Sequence, residues 1–168
     1  MAKVEVEVTF DNYKKVMKGL EFLEESGVYV GIPESETSRP DDHTVTNAEL
    51  LFIHTNGSPV NNVPARPVIE PALEKDSKRL SKMMEKVALS ALENDFEEAE
   101  NNLKLTGMRG QNVSRAWFTD PDNKWPPNSP SVERAKRKKE STNPRPLIDT
   151  GELRKSITYV VEVGGVKK

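Results

Sequence analysis

The sequence predicts an α+β fold: a small antiparallel sheet packed against one long and two or three short helices, with an extended proline-rich arm. Three observations carry this. Val4, Val6, Val8 and Phe10 alternate with Lys3, Glu5, Glu7 and Thr9, the period of a half-buried strand. Apolar residues from about Val68 to about Leu103 recur at helical spacing. Ile157–Val163 (ITYVVEV) is rich in β-branched residues and reads as the last strand.

The elements follow in order. Asp11 or Asn12 caps a first helix with Tyr13, Val16, Leu20 and Leu23 on its apolar face, and Gly27 ends it. Val28–Ile32 is a second strand stopped by Pro33. Residues 34–46 are polar and aperiodic, a loop. Asn47 caps a short helix that buries Leu50, Leu51 and Ile53 and ends at Asn56–Gly57. The long helix then carries Ile69, Leu73, Leu80, Met84, Val87, Ala91 and Leu92 in one stripe and stops at Thr106–Gly107. About 35 helical residues span roughly 50 Å at 1.5 Å per residue, enough to carry one end beyond its own fold.

Residues 107–146 hold little apolar content beyond Val113, Trp117, Phe118 and Trp125, and prolines punctuate them, so an arm or long loop is expected around a short helix near 130–140. A turn at Thr150–Gly151 and a short helix lead into the last strand, and the tail GGVKK frays. At 168 residues the chain fits a single domain spanning 1–168, with 107–146 as the arm within it.

Hydrophobic residues make up 35% and charged residues 31%, polar for a self-sufficient globule, which points to surfaces that a partner covers. A net charge of -2 argues against a chain that coats nucleic acid with its whole surface. The absence of cysteine excludes disulfides and thiolate chemistry. No signal-peptide pattern or membrane-spanning run is present, which places the protein in the cytoplasm or in a particle assembled there.

Catalytic patterns are not found. His43 and His54 are the only histidines and have no third ligand at metal spacing, although Asp41 and Asp42 adjoin His43. Gly107 and Gly110 in TGMRGQ lack the context of a phosphate cradle, and no serine sits in a nucleophile elbow. No catalytic residue, cofactor or metal is therefore assigned, and the chain reads as a non-enzyme.

Two features stand out. From residue 101 to 147, ten basic side chains face four acidic ones. Arg134, Lys136, Arg137, Lys138 and Lys139 form the densest run, suited to DNA in a channel or to an acidic partner. The second feature is Pro64-Ala65-Arg66-Pro67. Its prolines fix the chain and hold Arg66 rigidly, with a fork suited to a carboxylate or to a row of carbonyls. Pro67 also suits the first turn of the long helix, so the segment is either a stiff helix entry or a preformed docking knuckle.

The segment NAELLFIHTNGSPVNNVPARPVIEPALEK resembles one found in virion-morphogenesis and neck or tail-completion proteins of tailed bacteriophages. There a short helix ending in His-x-x-Gly leads to an Ala-Arg-Pro turn. The segment KWPPNSPSVERAKRKKESTNPRPLIDTGELRKSITYVV resembles a second signature of that group. Together the two cover nearly half the chain. Their order is opposite to that in the Mu-like members, and Val68 stands where an aromatic usually follows Ala-Arg-Pro.

The resemblance implies a structural virion protein that joins the head connector to the tail as a homo-oligomeric ring around the DNA exit channel. Its partners would be portal, adaptor or head-closure proteins on one side and tail-tube or tail-terminator proteins on the other. It would be assembled in the host cytoplasm, with no membrane involved. Asn47, His54, Gly57, Pro64, Ala65, Arg66 and Pro67 would shape one interface element. Thr150, Gly151, Leu153, Arg154 and Ser156 would position the last strand, and Trp125 with Pro126 would anchor the arm. A nucleic-acid-binding accessory using residues 104–145, a tail terminator and a minor head–tail joining protein remain the alternatives.

Overall fold

The computed structural model describes residues 12–33, 45–138 and 145–167. The strand expected at Val4–Phe10, together with His43 and Lys139, lies outside them. The chain is α+β, as expected from its patterning. Helix α1 (Tyr13–Glu24) leads to strand β1 (Gly27–Gly31), and helix α2 spans Asn47–Asn56. Helices α3 (Ile69–Lys75), α4 (Ser77–Leu92) and α5 (Phe96–Trp117) follow. Then come α6 (Pro130–Lys138), α7 (Glu152–Ser156), β2 (Thr158–Val163) and β3 (Val166–Lys167).

The three described strands form an antiparallel sheet in the order β1-β2-β3, with Val28 opposite Val161 and Val30 opposite Tyr159. The tail expected to fray instead turns at Gly164–Gly165, both at positive φ, and pairs as β3. Gly27 opens β1 instead of closing α1, which ends at Glu24.

The single long helix expected over 68–103 is three helices, and the reasons are local. Pro67 and Val68 precede the first turn, which starts at Ile69. Asp76 breaks the axis at φ -97° and ψ 7°, and its carboxylate is held by Arg109 Nε and NH2 at 2.7 and 2.6 Å. The second break is Glu93-Asn94-Asp95. Asn94 takes the left-handed conformation at φ 64°, and Asp95 caps α5 by accepting from the Glu98 amide at 3.0 Å. The chain therefore folds back, and α4 and α5 pack as a hairpin instead of extending outward.

α5 does not stop at Thr106–Gly107 but runs on to Trp117, so residues 107–117 are helix instead of arm. Its glycines are the seat of the sheet. A Cβ on Gly107 would lie 2.8 Å from Cγ of Tyr159, and one on Gly110 would lie 2.7 Å from Cγ2 of Val30. Without side chains at these positions the sheet rests on the helix backbone. Gly19 plays the same part where α1 crosses α4, against the Ala91 carbonyl and Leu92 Cα.

Two apolar clusters result. Val87, Leu103 and Val161 join with Phe22, Leu23 and Val28 at one end. Val68, Ala72, Trp117, Phe118, Ile148, Leu153 and Ile157 form the other. Arg115 ties α5 to the start of β2, donating to the Ile157 and Lys155 carbonyls at 2.8 and 2.7 Å.

Gly107→Ala tests the seat. Helix propensity favours alanine by about 1 kcal/mol. Overpacking against the Tyr159 ring costs about 1–3 kcal/mol, so packing should win. The expected outcome is a lowered Tm and urea midpoint. Gly31→Ala, where a Cβ meets nothing within 4 Å, should stay near wild type.

Candidate partner-binding site

The two segments singled out in the sequence meet at the second apolar cluster. α2 starts from a capping box: the Thr46 hydroxyl accepts from the Glu49 amide at 3.2 Å, and the Glu49 carboxylate accepts from the Thr46 amide at 2.8 Å. These bonds hold the Glu49 carboxyl below its ordinary range. Thr46 is thus the cap, and Asn47, expected in that role, is the first helical residue and is buried.

Gly57 ends α2 at φ 74°, where the returning chain lies against it: a Cβ there would come within 2.8 Å of the Ala65 amide nitrogen. Between them, residues 58–63 form a short bridged loop, Ser58 pairing with Val63. The Arg66 amide then donates to the His54 carbonyl at 2.5 Å, which fixes the Pro-Ala-Arg-Pro turn on the end of α2.

Arg66 points inward and is 6% exposed. Its Nε and NH2 donate to the Pro126 carbonyl at 3.1 and 2.9 Å, and NH2 also donates to the Pro127 carbonyl at 2.9 Å. Of the two targets the sequence allowed, the row of carbonyls is the one observed. The neighbouring Pro67 carbonyl accepts from both indoles, Trp117 Nε1 at 3.2 Å and Trp125 Nε1 at 3.1 Å. Trp125 packs edge-on to Phe118, with ring centroids 5.7 Å apart. Lys75 closes the far side, binding Asp120 and Asp122 at 2.8 Å each while lying 5.6 Å from the centre of a Trp117 ring.

Residues 118–129 are therefore strapped to the fold. α6 leaves this strap with no buried residue. Its hold is Lys136, whose ammonium donates to the Arg145 and Ile148 carbonyls at 2.7 and 2.5 Å. Burial lowers the Lys136 pKa, and the Arg66 charge adds to this while Asp149 opposes it. Arg134, Arg137 and Lys138 lie on exposed surface.

In the Thr150–Gly151 turn, Gly151 sits at φ 83° and the Thr150 hydroxyl accepts from the Glu152 amide at 3.3 Å. Leu153 and Ser156 are buried, Arg154 is half-buried, and the Ser156 hydroxyl donates to the Leu153 carbonyl at 3.0 Å.

Two open clefts flank the clamp and share His54, Arg66, Asn128 and Val132. One of about 750 Å³ runs past Gly57, Pro64 and Ala65; the other, of about 360 Å³, runs past Asn47, Lys136 and Thr150 to Leu153. Most of the sequence-predicted residues on both segments thus surround one place, whereas Arg154 and Ser156 line neither cleft. Pro64, Ala65, Pro126 and Thr150 lie on its exposed side, and Arg66, Asn47 and Leu153 on its inner side. Sequence reading missed the Pro127 carbonyl, the double use of the Pro67 carbonyl and the Lys75 bridge. The available signal was donor-only side chains (Arg, Trp, Lys) spaced among prolines that offer only acceptors.

His54 Nδ1 and Asn47 Oδ1 are covered by protein and lack a hydrogen-bond partner. Burial, then the Arg66 charge, pushes the His54 pKa below its ordinary value of 6.5. No group of three or more His, Asp or Glu that could hold a metal ion occurs among the described residues. No described helix is long and apolar enough to cross a membrane. Comparison with protein-family models, curated proteins and solved structures finds no match.

Two outcomes follow. Arg66→Lys replaces a fork by a single ammonium and leaves carbonyls under-satisfied. It should lower stability by about 2–3 kcal/mol in urea unfolding, with the loss of Trp fluorescence shift marking release of the strap. For His54, the unfolded chain takes up a proton near pH 6.5 and the folded one only at lower pH. The folded state therefore loses stability as pH falls below about 6.5. Between pH 7.5 and 5.5 the urea midpoint of the wild type should fall more than that of His54→Gln.

Proposed function

We propose that this chain is a structural virion subunit of a tailed phage, a neck or tail-completion protein that acts by self-association and by docking on neighbouring virion proteins. The observation that carries this reading is the contrast within the α2–Pro67 segment. Its base is fixed by the Arg66 and Pro67 bonds, while Phe52 on α2, 69% exposed, and Val60 in the 58–63 loop, 93% exposed, stand in solvent. A rigid mount holding large apolar side chains in solvent suits a docking element, because the ordering cost is met before the partner arrives. The resemblance of the two segments to phage neck and tail-completion proteins supports the same reading. In a ring, each such contact would be repeated around the channel.

A second reading rests on α6. Arg134, Arg137 and Lys138 are exposed and share a nine-residue helix with a single acid, Glu133. They would suit passive contact with DNA, whereas Lys136 is engaged with carbonyls of the fold.

The test is a Phe52→Ser/Val60→Ser variant, which should keep the wild-type Tm yet lose incorporation into particles, read by mass spectrometry of purified virions. Equal incorporation of the variant would remove the docking reading. Absence of the wild-type protein from particles, with duplex-DNA binding that weakens steeply with salt, would favour the α6 reading.

A further inference from the structure

The outer face of α1 carries an apolar stripe that the fold leaves in solvent. Val16, Met17 and Leu20 are 41%, 37% and 48% exposed, and the Tyr13 ring stands at the head of the same stripe. Positions 13, 16, 17 and 20 follow the spacing of a helix-docking face. The other side of α1 is already occupied: Gly19 lies on α4, and Phe22 and Leu23 join the core cluster. Leu92 of α4, at the Gly19 crossing, is itself 37% exposed.

Charge along this face selects the occupant. Lys14 and Lys18 lie on one flank of the stripe, and Glu21 and Glu25 lie on the same flank seven residues further on in each case. All four are exposed. A second α1 laid antiparallel places lysines opposite glutamates at both ends of the contact. The pattern is thus complementary to its own reverse.

We infer that α1 forms an antiparallel, two-fold contact between two copies of this chain. Such a contact is isologous and therefore distinct from the head-to-tail contact that closes a ring. It rests on α1 alone and does not depend on the virion reading. Twelve residues make a helix of about 18 Å, so the buried area falls below the roughly 1,200 Å² of standard interfaces. The pair is accordingly weak and concentration-dependent.

The chain has no cysteine, which gives a direct experiment on the full-length protein. Leu20→Cys, near the centre of the stripe, should form a disulfide-linked dimer under mild oxidation much faster than Lys82→Cys on the outer face of α4. In sedimentation equilibrium, Lys14→Glu/Lys18→Glu and Glu21→Lys/Glu25→Lys should each weaken self-association on the order of tenfold. Their equimolar mixture should regain it as a heterodimer. Circular dichroism of each variant confirms that α1 remains folded. Equal cross-linking at positions 20 and 82, a wild type that stays monomeric to millimolar concentration, or a mixture that fails to pair would each overturn the inference. Cross-linking by a protein that never enters phage particles would leave it standing and remove only the virion reading.

Discussion

Arg66 carries donors and no acceptor, and Pro126–Pro127 carries acceptors and no donor. Their meeting organises one end of the molecule. A Trp-Pro-Pro segment cannot join a sheet through both of its edges, because its prolines have no N–H. Its carbonyls must be satisfied by side chains or water. The guanidinium supplies three hydrogen bonds between 2.9 and 3.1 Å and does so over sixty residues of sequence. The Pro67 carbonyl repeats the logic in reverse, using both lone pairs for the two indoles. Polar groups thus knit together a region whose apolar content alone is too sparse to fix it. Buried bonds of this kind specify one arrangement, because each missing partner costs about 1–3 kcal/mol.

The clamp sets the electrostatics of its surroundings. Burial is the main force against protonation of His54 and Lys136, and the covered Arg66 charge beside them adds to it. Lys136 answers by binding two carbonyls, Arg145 and Ile148, which fastens α6 to the loop before α7. Lys136 thereby ties the basic helix to the fold. The partnerless Asn47 Oδ1 and His54 Nδ1 sit at this same junction.

Much of this was legible in the sequence. Alternation and β-branching located the last strand, while capping residues and glycine bracketed α2 to within one residue. The meeting of the Trp125 and Arg66 segments was not legible, since no local pattern encodes a contact sixty residues apart. The error over residues 68–103 is instructive. Apolar spacing continues across Asp76 and across Asn94, because both helices of the hairpin bury a face on the same core. Periodicity alone cannot see the reversal. The breaks are written in polar residues instead: an aspartate that finds Arg109, and an asparagine that tolerates positive φ next to a capping aspartate. Gly107 and Gly110 misled for a related reason. Glycine within a helix usually signals an end, but here it marks where another element must come close.

The reversal at Asn94 also changes what the chain can offer to others. A continuous helix of 50 Å would have carried a single apolar stripe away from the body. Folding back lets α4 and α5 bury part of their stripes against each other and the sheet, with Val87, Ala91, Ala99 and Leu103 almost wholly covered while Met84, Leu89, Leu105 and Met108 stay exposed. Further exposed apolar side chains stand on the outer layers, among them Val16, Met17 and Leu20 on α1 and Phe52 and Val60 in the α2–Pro67 segment. These surfaces lie on different elements and differ in kind. The α2–Pro67 segment is fixed at its base by the Arg66 and Pro67 bonds, which sets Phe52 and Val60 on an ordered mount. The face of α1 rests on a glycine crossing over Ala91 and Leu92, and its flanking charges read the same against a reversed copy. Neither surface uses the residues of the other, so occupation of one leaves the other open.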